Sequence, residues 1–236
     1  MLVEQITAQL INAGNPDIAQ HSQRFFKTAK GEYGEGDKFI GIRIPVLRQT
    51  LKLYQNATLK EALVLLKHEY HEIRLFAVLL LVQLFEQSKK DEAKQSEIVK
   101  AYLANTHYIN SWDIVDSSAH KILGKFYFNR NKSILHQLAL SSHLWERRMA
   151  MMSTYTFIKN HQFDDALILA EILLHDKHDL IHKIVGWMLR EVGNKNKQVA
   201  ERFLQKHYQN MPRTMLRYAI EKFTKVERTA YLKGQM

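Results

Sequence analysis

The sequence predicts an all-α fold, an α-solenoid of stacked helical hairpins, and three observations predict it. Breakers are sparse: only 9 Gly and 3 Pro occur in 236 residues, few for a β-rich or loop-rich chain. Apolar residues recur on a helical period through most of the chain, with no convincing strand. Similar short blocks also open successive long helices, as an array of repeats would require.

Taken in order, the elements justify themselves locally. Asn15-Pro16 reads as an N-cap with Pro at the first helical position. Lys30 to Lys38 carries three glycines and reads as a loop, either a ligand-touching one or a plain connector, leading to a helix restarted at Pro45. Thr58-Leu59-Lys60-Glu61 has capping-box spacing ahead of an apolar run. Ile73, Phe76, Ala77, Leu80, Leu81 and Leu84 fall on one helix face. A helix is expected from about Trp112 to Arg130, with Val115, Ala119, Ile122 and Phe126 as its stripe, and Asn110 or Ser111 as its cap. Another runs from Leu180 to Val192, burying Ile181, Ile184, Val185, Met188 and Val192. Met211-Pro212 opens one more near the end, for about a dozen helices in all.

The repeat blocks are Glu72-Ile73-Arg74…Ala77, Val115-Asp116…Ala119, Glu146-Arg147…Ala150, His182-Lys183…Gly186 and Met215-Leu216…Ala219. Their small residues are spaced by 42, 31, 36 and 33 positions. That irregular period suits HEAT-like hairpins, each burying its face on the next, in one domain spanning 1–236. Such a superhelix has a concave face, and the charge balance predicts that it is basic.

Composition narrows the function classes. With no cysteine there is no disulfide framework, no thiolate-held zinc or iron–sulfur site, and no thiol to accept an alkyl group. The start, MLVEQITAQL, lacks the basic and apolar regions of a signal peptide. The longest apolar stretch, Phe76 to Leu84, is short for a bilayer and includes Gln83. A soluble, intracellular protein is therefore expected. A net charge of +10, spread along the chain, favours a polyanionic partner: nucleic acid or an anionic surface. The 12 histidines, His68/His71 and His175/His178/His182 among them, complete no metal-ligand motif and are expected to be solvated or capping. No phosphate-cradling Gly-rich loop or serine elbow occurs either.

Four side chains stand out from the core pattern. Asp113, in a first helical turn, is explained by the helix dipole. Asp116 lies a turn further in, a neighbour of Trp112 at i, i+4, and reads either as a structural ion pair or as a functional acid. Trp187 projects off its helix's apolar stripe among Lys183 and Arg190, either packing on the next repeat or offering a platform to a sugar or base. Arg148 sits between Leu144, Met151, Met152 and Tyr155, where it needs a carboxylate or a ligand phosphate. Arg147 points elsewhere and reads as an ordinary surface cation.

These residues resemble the DNA alkylation repair family of AlkD-like, HEAT-like repeat DNA glycosylases. The likeness is carried by Ser111-Trp112-Asp113-Ile114-Val115-Asp116-Ser117, Leu144-Trp145-Glu146-Arg147-Arg148, Gly186-Trp187-Met188-Leu189-Arg190-Glu191 and Phe39 to Arg48, and it spans nearly the whole chain. The resemblance implies base excision of cationic N3- and N7-alkylpurines from duplex DNA, without metal or organic cofactor. It implies Asp116 as the catalytic carboxylate, with Trp112 and Trp187 cupping the deoxyribose. Arg148 and Arg190 become backbone contacts, with Lys183 and Arg43 as further DNA-binding cations. An acid, two indoles and a guanidinium from three helices are thus expected in one groove. A monomer, cytoplasmic and nucleoid-associated, with no membrane partner, completes the expectation. The chain departs from relatives that carry a tandem Trp-Trp-Asp, having Ser111-Trp112-Asp113 instead, and Phe25 takes the place of an N-terminal aromatic near the DNA. The alternatives are a non-catalytic DNA-binding HEAT-repeat protein and a protein-interaction scaffold.

Overall fold

The computed structural model describes residues 2–236. It holds α1 Leu2–Asn12, α2 Pro16–Phe25, α3 Ile44–Leu51, α4 Leu59–Leu66, α5 His71–Gln87, α6 Glu92–Ala104 and α7 Trp112–Ala119. These are followed by α8 Ser133–Ala139, α9 Leu144–Lys159, α10 Asp164–Ile172, α11 Asp179–Lys195, α12 Lys197–His207, α13 Arg213–Ala219 and α14 Lys225–Lys233. Among the described residues no strand forms; the β-type pairing is one isolated bridge between Lys38 and Tyr70. The all-α, solenoid-like expectation holds. No helix of the described residues is long and apolar enough to cross a membrane.

The signals at Asn15 and Thr58 act as read, whereas the cap expected from Asn110 or Ser111 does not form, both side-chain oxygens being buried without a hydrogen-bond partner. The Asn15 side chain accepts from the Ile18 N–H at 3.0 Å, with Pro16 opening α2. Thr58 and Glu61 form the reciprocal capping box of α4. A second box, Thr224 with Glu227, starts α14.

Two compact units emerge, Met1–Ser118 and Ala119–Met236. In the first, α5 packs against α3, α4 and α6. The stripe Ile73, Phe76, Ala77, Leu80 and Leu81 is buried, but so are Leu75, Val78 and Leu79 on the other faces. Being wrapped on several sides, α5 also draws His71, Glu72 and Arg74 inside. In the second unit, a π turn at His120–Gly124, α9, α11 and α13 pack in succession, with α8, α10, α12 and α14 against them. Those are the hairpins the repeat blocks announce: Ala119, Ala150, Gly186 and Ala219 are all buried.

The helix expected from Trp112 to Arg130 forms but is not uniformly α-helical, and it ends at Phe126. After Ala119 the ladder widens into the π turn. A Cβ at Gly124 would stand 2.5 Å from the Ser153 carbonyl oxygen and 2.8 Å from the Thr156 hydroxyl, so α9 approaches as only glycine allows. The Thr156 hydroxyl donates to the His120 carbonyl at 2.5 Å. The inserted turn is thereby satisfied from a neighbouring helix, which single-sequence periodicity does not show.

Candidate functional site

In the first unit, α7 starts at Trp112, with Asp116 one turn on. Both are half-buried, whereas Ile114, Val115 and Ala119 are buried on the core side. The helix thus turns its apolar stripe inward and leaves the indole and the carboxylate at its margin. Trp112 is held by aromatic packing: Phe26 stacks on it at 5.3 Å and 15°, and Phe25 meets it edge-on at 5.9 Å. Asp116 lies close enough to the buried Tyr102 hydroxyl to matter to it. Burial pushes the Tyr102 pKa up, the Asp116 charge adds to that, and the 2.8 Å hydrogen bond with Ser118 opposes it.

Trp112 lines a cleft of about 640 Å³ together with Phe25, Phe26, Phe39, Arg43 and Asp113. Arg43 is exposed at the N-cap of α3. Its segment is anchored by Glu72, whose carboxylate accepts from the N–H groups of Ile40, Gly41 and Ile42 at 2.9, 2.8 and 3.2 Å. Gly41 has φ +89°, and any Cβ there would lie 1.9 Å from the Asn15 carbonyl oxygen. Backbone geometry thus fixes the wall that presents Arg43.

Behind this wall lies a network that residue patterns did not reveal. His71 is buried, with Nδ1 3.0 Å from Asp37 Oδ2 and Nε2 2.9 Å from Asp113 Oδ2. Arg74 pairs with the other Asp37 oxygen and donates to the carbonyls of His68 and Glu69, each at 3.0 Å. Burial alone would lower the His71 pKa; Asp113 and Asp37 outweigh it and hold the ring at about 9. Burial likewise works against the Asp37 carboxylate, but His71 and Arg74 keep its pKa below the usual value. Two expectations change here. Asp113 does more than face the helix dipole: it is buried and paired with His71, while also accepting from the Ile114 N–H at 3.0 Å. His71 is neither solvated nor a cap, although His178 does cap α11 by accepting from the Leu180 N–H at 3.1 Å. The available signal was the group of polar residues, His71, Glu72 and Arg74, opening the helix that carries the longest apolar stretch.

In the second unit, α11 presents Lys183, Trp187 and Arg190 half-buried beside its fully buried stripe. The Trp187 N–H donates to Glu191 at 3.1 Å, and its ring lies 6.1 Å from that of Tyr155 on α9. Lys183 pairs with Asp179 at 2.8 Å, and Arg190 pairs with Glu221. Arg148 on α9 is buried and donates to the Leu180 carbonyl at 2.7 Å, which brings it to the first turn of α11. Arg147 is not an ordinary surface cation: it meets Asp176 at 2.6 Å and donates to the carbonyls of Ser141 and Ser142. Among the described residues, no group of three or more His, Asp or Glu side chains could hold a metal ion.

The model of the DNA alkylation repair enzyme family matches residues 6–223. The chain belongs to that family. This family member is also similar in fold to a solved structure described as a predicted DNA alkylation repair enzyme from Enterococcus faecalis. The TM-score is 0.72 and the identity 19%, over 90% of this chain and 97% of the other. No curated protein matches the family member's sequence. Trp112, Asp116, Arg148 and Trp187 all lie within the matched span.

Proposed function

We propose that this member of the DNA alkylation repair family is a DNA glycosylase that hydrolyses the N-glycosidic bond of N3- and N7-alkylated purines in duplex DNA. The observation that carries the reading is the margin of α7, where an aromatic-braced indole and a carboxylate one turn away stand outside the core. Alkylation at N3 or N7 makes the purine a cation, so it departs as a neutral base and needs little general-acid help. A pair of carboxylates, as glycoside hydrolysis usually requires, is then unnecessary. What remains is an oxocarbenium-like sugar and a water to be placed.

The Asp116 carboxylate does both, by charge and by accepting a hydrogen bond from water. The faces of Trp112 and Trp187 favour the developing cation by about 1–2 kcal/mol each in a dry site. Arg43, Arg148, Lys183 and Arg190 are assigned to the sugar–phosphate backbone. Gripping sugar and phosphate rather than the base, the enzyme has no need to swing the lesion into a pocket, unlike most enzymes that act on bases. A monomer acting on duplex DNA, without a cofactor, suffices for this chemistry.

The test is single-turnover release of 7-methylguanine from a methylated duplex. Asp116→Asn is expected to lower release by at least about 100-fold, the scale of a lost transition-state electrostatic contact, with DNA affinity nearly intact. Unchanged release by this variant overturns the assignment. A wild type that binds duplex and releases no base favours the non-catalytic DNA-binding alternative.

A further inference from the structure

His71 has both ring nitrogens within hydrogen-bond reach of carboxylate oxygens, at 3.0 Å from Asp37 and 2.9 Å from Asp113. Ionised carboxylates only accept, and a neutral imidazole has a single N–H to give. One contact would then set a ring lone pair against an anionic oxygen inside a buried site. The geometry therefore calls for an imidazolium donating in both directions. The groups facing it are Asp37 from the 30–38 loop, itself paired with Arg74 of α5, and Asp113 from α7. The ring packs against Phe39, stacked at 4.6 Å, and Phe26, tilted at 4.8 Å, which also stack on each other at 5.0 Å. The His71 backbone N–H is also fixed, donating to the Lys38 carbonyl at 2.8 Å.

Two routes lead from this histidine to Trp112. One is covalent, since Asp113 is the next residue in the first turn of α7. The other is packing, since Phe26 contacts His71 on one side and stacks on Trp112 on the other. We propose that His71 is a positioning residue for base excision, a doubly bonded clamp that ties the first turn of α7 to the 30–38 loop and so sets the placement of Trp112 and Asp116. It acts through Asp113 and Phe26 rather than on the reacting sugar. This role rests on the excision reading above.

The clamp has a pH signature. With the pair of acids holding His71 at about 9 against an ordinary value of 6.5, the charge is raised in the folded protein. The stability it contributes is complete below about 6.5 and is lost as pH rises through about 9, where one donor disappears.

The experiment follows the His71 ring and the Trp112 indole by NMR from pH 6.5 to 10, alongside single-turnover release corrected for uncatalysed loss. The Trp112 resonance and the release rate are expected to change with the His71 midpoint, while affinity for undamaged duplex shows no matching step. His71→Gln, checked for folding by circular dichroism, is expected to slow release about 10- to 100-fold, the cost of a misplaced reacting group, and to leave that affinity within about 3-fold. Wild-type release by folded His71→Gln, or an indole indifferent to the His71 titration, overturns the proposal. If the wild type releases no base, the excision reading falls and the indole alone decides: movement with His71 supports the clamp, indifference ends it.

Discussion

Trp187 and Arg148 show how much a neighbour decides about a single side chain. The indole of Trp187 is neither swallowed by the core nor free: its N–H is committed to Glu191 and its ring to the vicinity of Tyr155, leaving it half-buried. A face braced in this way can meet a developing sugar cation without first losing rotamer freedom. Replacing Trp187 by Ala is expected to slow 7-methylguanine release by about 10-fold, equivalent to one strong cation–π contact, and to weaken binding to undamaged duplex by less than about 3-fold. Equal losses in both measurements would mean that the ring merely binds DNA. At Arg148 the sequence left a carboxylate and a phosphate as candidate partners, and the structure adds a third, the Leu180 carbonyl. A backbone acceptor leaves no trace in residue type, so no reading of the sequence could name it.

At the scale of elements, close approach is governed by the smallest residues. Gly186 on α11 faces α13 so tightly that a Cβ would lie 2.4 Å from the Met215 carbonyl oxygen and 2.5 Å from the Tyr218 Cβ. Alanine is the better helix former by about 1 kcal/mol, yet the atoms it would meet belong to or adjoin backbone and cannot rotate away. Gly186→Ala is therefore expected to destabilise the protein by about 1–3 kcal/mol, the usual range for overpacking, as read from urea denaturation midpoints. A neutral or stabilising outcome would show that α11 and α13 slide apart at little cost. The spacing of small residues made this helix pair legible in advance. The π turn was not legible, because it depends on Thr156 and Gly124 meeting from different helices.

For the molecule as a whole, charge is the property that sums. Several assigned cations carry internal partners, Arg190 with Glu221 and Lys183 with Asp179 among them. Each such pair uses one acid per base, so the excess of +10 survives pairing undiminished. Duplex binding is expected to weaken steeply with salt. If Arg43, Arg148, Lys183 and Arg190 each neutralise one phosphate, the log–log slope is about −4. A flat dependence measured by fluorescence anisotropy would favour the protein-scaffold alternative, since apolar interfaces hardly sense counterions.

By itself the sequence determined what depends on neighbours along the chain: helical content, the caps at Asn15 and Thr58, the repeat spacing, the charge excess, and the margin position of Trp112 and Asp116 on one helix. These follow from fixed helical periods and local hydrogen bonding. Tertiary structure alone decided the partners of buried polar groups. Asp37, His71 and Asp113 are separated by 34 and 42 positions, and Glu72 reaches back to the amides of residues 40–42. A buried charge must be matched wherever the fold brings a counter-group, and that match depends on distance in space rather than distance in sequence.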